Sequence, residues 1–258
     1  TFSVTSALGA VIGAGMFGAI IMLPLYFQVV RGYSATEAGL KLIPLMLGIV
    51  STSIISGKMI SKHGHYKRFP IMGSAIMTVG ILLMTRLELD TPYWQISIYA
   101  IMVGAGLGLS MQTIVIALQN SVEFKDMGVA TSSNTFFRSL GSVFGTAIFG
   151  SILTNRVVHY MSSGFGDLAK TNPSALEGFD TSKLAALTNN TAVLKTFPPV
   201  IKQTALEAFV NSFHVVFYAA APITLLGLAL AFMLRETPLR TTQDYAAARE
   251  DAAGESLG

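Results

Sequence analysis

Cysteine is absent from the 258 residues, and charge is scarce, with Asp, Glu, Lys and Arg together making up 12%. The first absence excludes disulfides and thiolate metal sites, without fixing a redox compartment. The second is half the density of about 25% typical of soluble domains and fits a chain dissolved mostly in lipid. Motifs of catalysis are missing too: there is no HExxH, no GxSxG and no paired aspartate inside an apolar run. His63, His65, His159 and His214 fall in or beside loops at no metal-ligand spacing, and His63 and His65, which flank Gly64 in a basic loop, read as solvated side chains. The chain is therefore expected to be neither an enzyme nor a holder of cofactors. A net charge of +3 is too small to argue for a nucleic-acid partner.

What is present is apolar length. Hydrophobic residues make up 52% of the chain, and the mean hydropathy is +0.58. Spanning helices need about 20 mostly apolar residues, and stretches near 7–30, 39–57, 69–84, 93–118, 129–153 and 213–234 approach or meet that length. The third is short by a few residues. Between them lie turn residues and charges: Arg31-Gly32-Tyr33-Ser34, then 58–68, then 86–92, then Glu123-Phe124-Lys125-Asp126. Ser34 and Thr36 ahead of Glu37 offer a helix start. The expected fold is an all-α integral membrane bundle of six transmembrane helices. Five of them fall within 1–153, followed by a long extracytoplasmic loop at 154–212, the sixth at 213–234, and a tail at 235–258.

Lysine and arginine set the expected orientation. Lys58, Lys62, Lys67 and Arg68 gather after the second span, and Arg235, Arg240 and Arg249 after the sixth, so both groups and both termini are placed in the cytoplasm. The 154–212 segment is too polar to span and too long for an ordinary connection. Its 184–206 part has weak amphipathic character broken by Pro198-Pro199, which fits an external cap on the bundle or at the lipid surface.

Polar residues are unevenly placed. The third and sixth spans are almost purely apolar, whereas the fourth and fifth carry Gln112, Thr113, Gln119, Asn120, Thr131, Asn134, Arg138 and Ser139. Polar groups in hydrocarbon need partners or water, so the fourth and fifth spans are expected to line an interior and the third and sixth to face lipid. Gln112 and Gln119 are two turns apart on one face, and Thr131, Asn134, Arg138, Gly141 and Gly145 form one stripe. A guanidinium at mid-helix costs roughly 2.5–3.5 kcal/mol on insertion scales, which makes Arg138 either a structural anchor inside the bundle or part of a transport path. Gly104/Gly108 and Gly141/Gly145 admit close helix packing or hinge freedom. All fourteen Asp and Glu residues lie in loops, tails or helix ends, so no intramembrane proton carrier is evident.

Leu23-Pro24-Leu25-Tyr26-Phe27-Gln28-Val29-Val30-Arg31-Gly32-Tyr33-Ser34, with Ala38-Gly39 and Leu42-Ile43-Pro44, resembles the seam between two helices of the major facilitator superfamily. Specifically, it is similar to the fourteen-span drug:proton antiporters of the EmrB/QacA type. Gln119-Asn120-Ser121-Val122, Met127-Gly128-Val129-Ala130-Thr131 and Phe137-Arg138-Ser139-Leu140-Gly141 are similar to that family's penultimate helix, and Arg235-Glu236-Thr237-Pro238 to its ending. The resemblance implies the C-terminal six-helix half of such a protein, with the first, second, fourth and fifth helices lining the substrate path. It also makes Gly57, Lys62, Gly64, Lys67 and Arg68 a degenerate cytoplasmic gating loop in which Ser61 replaces the acid.

The implied activity is proton-coupled export of small amphiphilic organic molecules or drugs by alternating access in a bacterial inner or plasma membrane. Gln112, Gln119, Asn134 and Arg138 are the expected cavity residues, with Tyr26, Gln28 and Phe137 beside them and with Pro24 and Pro44 at helix-shaping positions. The partners implied are the lipid bilayer, the substrate, protons, and either the missing N-terminal half or a second copy. The alternative is a non-transporting six-helix scaffold or truncated remnant that binds a partner.

Overall fold

Lipid offers backbone groups no hydrogen-bond partners, so helices are the simplest way for this chain to satisfy them. Every regular element among the described residues of this computed structural model is helical. The structure describes residues 2–173, 194, 197–234 and 236. In chain order they form α1 (Phe2–Val29), α2 (Ala35–Leu40), α3 (Ile43–His63), α4 (Arg68–Met84), α5 (Tyr93–Ser121), a 3-10 turn (Phe124–Asp126), α6 (Met127–Thr171) and α7 (Pro199–Met233). Five helical stretches are long and apolar enough to cross a membrane, α2 and α3 together forming the second, while α4 is shorter at 17 residues.

Local chemistry explains the boundaries. Ser34 Oγ accepts the N–H of Glu37 while the Glu37 carboxylate accepts the N–H of Ser34, a closed capping box that starts α2 where the sequence places a helix start. Pro44 stands in the first turn of α3, where a missing N–H costs nothing. Gly64 ends α3 at φ 74°, a left-handed conformation that glycine adopts without strain. Pro24 lies inside α1.

α5 runs between α3 and α4, and α6 between α1 and α7, while α4 and α1 both pack on α7. Glycine makes the two tightest crossings possible. A Cβ on Gly104 or Gly108 of α5 would collide with the Leu45 and Ile49 carbonyls of α3, and one on Gly141 or Gly145 of α6 would collide with the backbone of Ala10 and Ala14 in α1. In lipid, where apolar contact gains nothing over the solvent, such backbone approach is a main source of helix association.

Two expectations need correction. The segment 154–212 is not simply a loop, because α6 continues to Thr171 and α7 already begins at Pro199. Val157, Met161 and Phe165 recur every fourth residue and are buried, as are Ile201, Ala205 and Phe209, so an apolar seam extends both helices past the hydrophobic runs. Their polar outer faces lower the local hydropathy and hide the continuity. About half of the amphipathic 184–206 stretch and the tail beyond Glu236 lie outside the described residues.

The second correction concerns which helices are inside. α5 is indeed the most enclosed, with 61% of its most apolar stretch buried, but α6 has only 22% and α3 only 17%. α4, expected at the lipid, is wedged between α5 and α7 and buries eight of its residues. Asn134 and Ser142 of α6 meet α1 along one narrow face, while Ser132, Thr135 and Ser139 are exposed.

Candidate functional site on the faces of α3, α5 and α6

The sequence-derived site residues separate into two groups. In the first, side chains serve the fold. Asn134 is buried, and its Nδ2 donates to the Thr5 carbonyl of α1 at 3.1 Å, against Gly9. Tyr26 is fully buried, donates its hydroxyl to the Glu88 carbonyl at 2.7 Å and meets Phe213 edge-on at 5.7 Å. Neither reaches an open surface, so their placement among cavity residues is corrected. Both are polar groups that found backbone acceptors in neighbouring elements, which a single-helix reading cannot foresee.

In the second group the side chains remain accessible. Gln112 is exposed on α5 and lies against Gly57 of α3, where an added Cβ would touch its Cγ at 3.8 Å. Gln119, two turns further along α5, is half-buried, as is Gln28 on α1. Phe137 is exposed on α6 and stands edge-on to Phe136. Arg138 is half-buried at the seam between α6 and α1. Its carbonyl lies over Gly13 and accepts the Ser142 hydroxyl at 2.9 Å. Its guanidinium makes no ion pair and no hydrogen bond among the described residues, whose salt bridges are Lys125–Glu123 and Lys170–Asp167.

The basic loop between α3 and α4 is well defined. Lys62 is exposed in the last turn of α3, Lys67 is half-buried at the N-cap of α4, and Arg68 is exposed at its first position. An acid does reach this loop from far along the chain: the Glu236 carboxylate accepts the N–H of fully buried Tyr66 at 3.0 Å. Tyr66, Ile60, Ala117 and Leu234 form a small apolar cluster that ties the end of α7 to the ends of α3 and α5.

At the opposite end, the connection between α4 and α5 is clasped by its carbonyls. Arg31 donates to Leu89 and Thr91, Tyr26 to Glu88, and His214 Nε2 to Leu87. Arg31 and His214, which the sequence places in or beside connections, are each half-buried and bonded to backbone. Sequence reasoning also passed over the hydroxyl stripe of α3, where Thr52 and Ser53 donate to the Ala105 and Gly108 carbonyls of α5. The signal was there, in Ser51-Thr52-Ser53 and Ser56 recurring within an apolar run.

Comparison with known proteins agrees with this architecture. An uncharacterised MFS-type transporter of Mycobacterium tuberculosis is 36% identical over 257 residues, all of this chain but only 35% of the relative. A tetracycline resistance determinant of Streptomyces rimosus is 28% identical, covering 100% of this chain and 78% of its own. A multidrug transporter protein of Bacillus subtilis is 32% identical over 93% of this chain and 47% of its own. The chain thus spans between about a third and a half of the first and third of these relatives. A solved structure of a bacterial homologue of the human lysosomal transporter Spinster, inward-facing and occupied, superposes with a TM-score of 0.62 over 90% of this chain and 48% of that one. At 17% identity that likeness speaks for the fold alone. The sequence model of the Major Facilitator Superfamily matches residues 2–146, more than half the chain, and with the six-helix architecture it establishes that this chain belongs to the major facilitator superfamily.

Proposed function

We propose that the chain is the C-terminal six-helix half of a proton-coupled exporter of small amphiphilic organic molecules, of the fourteen-span EmrB/QacA type, working by alternating access. The observation that carries this reading is the Arg138 guanidinium, half-buried in an apolar helix and unneutralised by any described side chain. A cation left in that state within a membrane span marks a path for water, substrate or a partner's acid. Its role is to bind an anionic group of the substrate or to hold down the pKa of an acid on the other half. The relatives named for tetracycline resistance and for multidrug transport support the substrate class.

In this reading α3, α5 and α6 present Gln112, Gln119, Phe137 and Arg138 to the path, with Gln28 of α1 nearby. The missing N-terminal half covers the bare faces of α3 and α6. The basic loop and both termini lie in the cytoplasm. The proton carrier sits on the other half, since among the described residues acids occur only in connections, near helix ends or in the outer extensions of α6 and α7.

The experiment is dye and drug export by inverted membrane vesicles carrying the native full-length protein or its Arg138→Ala variant. Export should fall at least about tenfold, the factor that 1.4 kcal/mol represents, while the amount of protein in the membrane is unchanged. Export at the parental rate would remove Arg138 from the path. Addition of substrate to energised vesicles should also release a measurable proton flux, and export indifferent to collapse of the pH gradient would end the antiport reading.

A further inference from the structure

Away from the proposed path, α3 and α4 stand apart on either side of α5 and leave a groove of about 550 Å³ between them. Ile55 and Met59 of α3 and Met72 of α4 form its walls, and Leu109 of α5 forms its floor. The three wall residues are exposed, so the groove opens sideways from the bundle. Its end is of different chemistry, closed by His63, His65 and Arg68. α4 contributes to the same groove while packing on α7, which places the opening on the flank of the bundle rather than over α1 and α6.

From this geometry we infer that the groove binds an anionic phospholipid, with an acyl chain along Ile55, Met59 and Met72, its phosphate at Arg68 and its polar headgroup beside His63 and His65. Charge complementarity decides the occupant. An apolar groove in a bilayer gains nothing by preferring one acyl chain to another, so selectivity must come from the end groups. Arg68 is exposed, and its guanidinium has no ion pair or hydrogen bond among the described residues. Both histidines donate their Nδ1–H to the Met59 and His63 carbonyls, so Nε2 of each neutral ring is an acceptor that suits a headgroup hydroxyl and leaves the phosphate to Arg68. Lys62 and Lys67 flank the end and add to the positive potential. The described carboxylate at this loop, Glu236, is engaged with the Tyr66 N–H and pairs with none of these cations. Basic groups at the membrane surface each favour anionic over neutral lipid by about fivefold.

The test uses bromine quenching of tryptophan in the native full-length protein. Met72→Trp, made with Trp94→Phe so that the chain's one natural tryptophan does not contribute and with any tryptophans elsewhere in the full-length protein replaced, is reconstituted with brominated phosphatidylglycerol or brominated phosphatidylcholine of matched acyl chains. Phosphatidylglycerol should bind with an association constant at least about fivefold higher, and adding Arg68→Gln should remove most of that preference. Arg86→Gln, a charge change at the far end of α4, should leave the preference intact. Equal quenching by the two lipids would overturn the inference, and so would a preference untouched by Arg68→Gln. Absence of quenching by either lipid would also overturn it, because the groove would then be covered by protein. Native mass spectrometry of the parental protein, where no substitution can disturb folding, should show retained phosphatidylglycerol and none of the phosphatidylcholine supplied at equal amount, and the reverse result would count against the site.

Discussion

Arg138 and Asn134 stand one helical turn apart on α6, yet the structure assigns them opposite duties. Asn134 is buried and bonded to the Thr5 carbonyl, whereas the Arg138 guanidinium is without a partner among the described residues. An interhelical hydrogen bond in a membrane protein is worth about 0.6 kcal/mol on average. Asn134→Ala should therefore lower the melting temperature of the purified full-length protein by only a degree or two and leave export close to parental. Loss of export with unchanged melting would return Asn134 to the substrate path. Gly64 permits a sharper prediction at this scale. Its φ of 74° is a conformation that costs an L-residue about 1–2 kcal/mol, so Gly64→Ala should destabilise the α3–α4 connection by that amount in a thermal melt. Gly166→Ala, a helical position with open space around it, should not destabilise and is the matched control.

At the scale of the helix, the glycines of α5 and α6 settle into contacts that the sequence left open between packing and hinge. Gly104→Ala would drive a Cβ into the Leu45 carbonyl, and Gly141→Ala one into Ala10, and backbone cannot move aside as a side-chain tip can. Each should cost 1–3 kcal/mol, typical of overpacking, and reduce the monodisperse fraction on size exclusion. Gly128→Ala and Gly150→Ala, where nothing lies within 4 Å, should be neutral or stabilising. Wild-type melting for Gly104→Ala and Gly141→Ala would mean that these helices separate easily, as a hinge would. The places of the apolar helices were legible in the sequence because hydropathy is read from each stretch alone, and the capping box at Ser34 was legible because it is local. The outer reach of α6 and α7 was not, since Val157, Met161, Ile201 and Ala205 are spaced one per turn among polar neighbours and pair only across space. For the same reason Tyr26 and Asn134 read as cavity residues. Polarity in a span announces that a partner exists, but only the tertiary structure says whether that partner is substrate or backbone.

For the whole molecule the decisive fact is asymmetry of cover. α5 is enclosed, while α3 and α6 bury about a fifth or less of their most apolar stretches. Lipid and a second bundle are equally good solvents for apolar side chains, so hydrophobicity does not say which of them meets these faces. Position does. Val50 lies seven residues from Gly57, two turns along the face of α3 that touches Gln112, and Phe144 lies seven from Phe137 on α6. Both are exposed, as are Leu226 and Phe232 of α7. If the chain is one half of a rocking carrier, positions 50 and 144 border a water-filled path in at least one state, and 226 and 232 never leave lipid. Because the chain has no native cysteine, the comparison needs only single substitutions at these positions, provided any cysteines elsewhere in the full-length protein are removed. Val50→Cys and Phe144→Cys should react with a membrane-impermeant maleimide at least about tenfold faster than Leu226→Cys and Phe232→Cys, since a thiol reacts as the thiolate and forms it only with water at hand. Added substrate should change the rates at 50 and 144 and leave those at 226 and 232 alone. Uniformly slow reaction at all four positions would instead place α3 and α6 in lipid or in a dry interface, and the transport face would have to be sought elsewhere on the bundle.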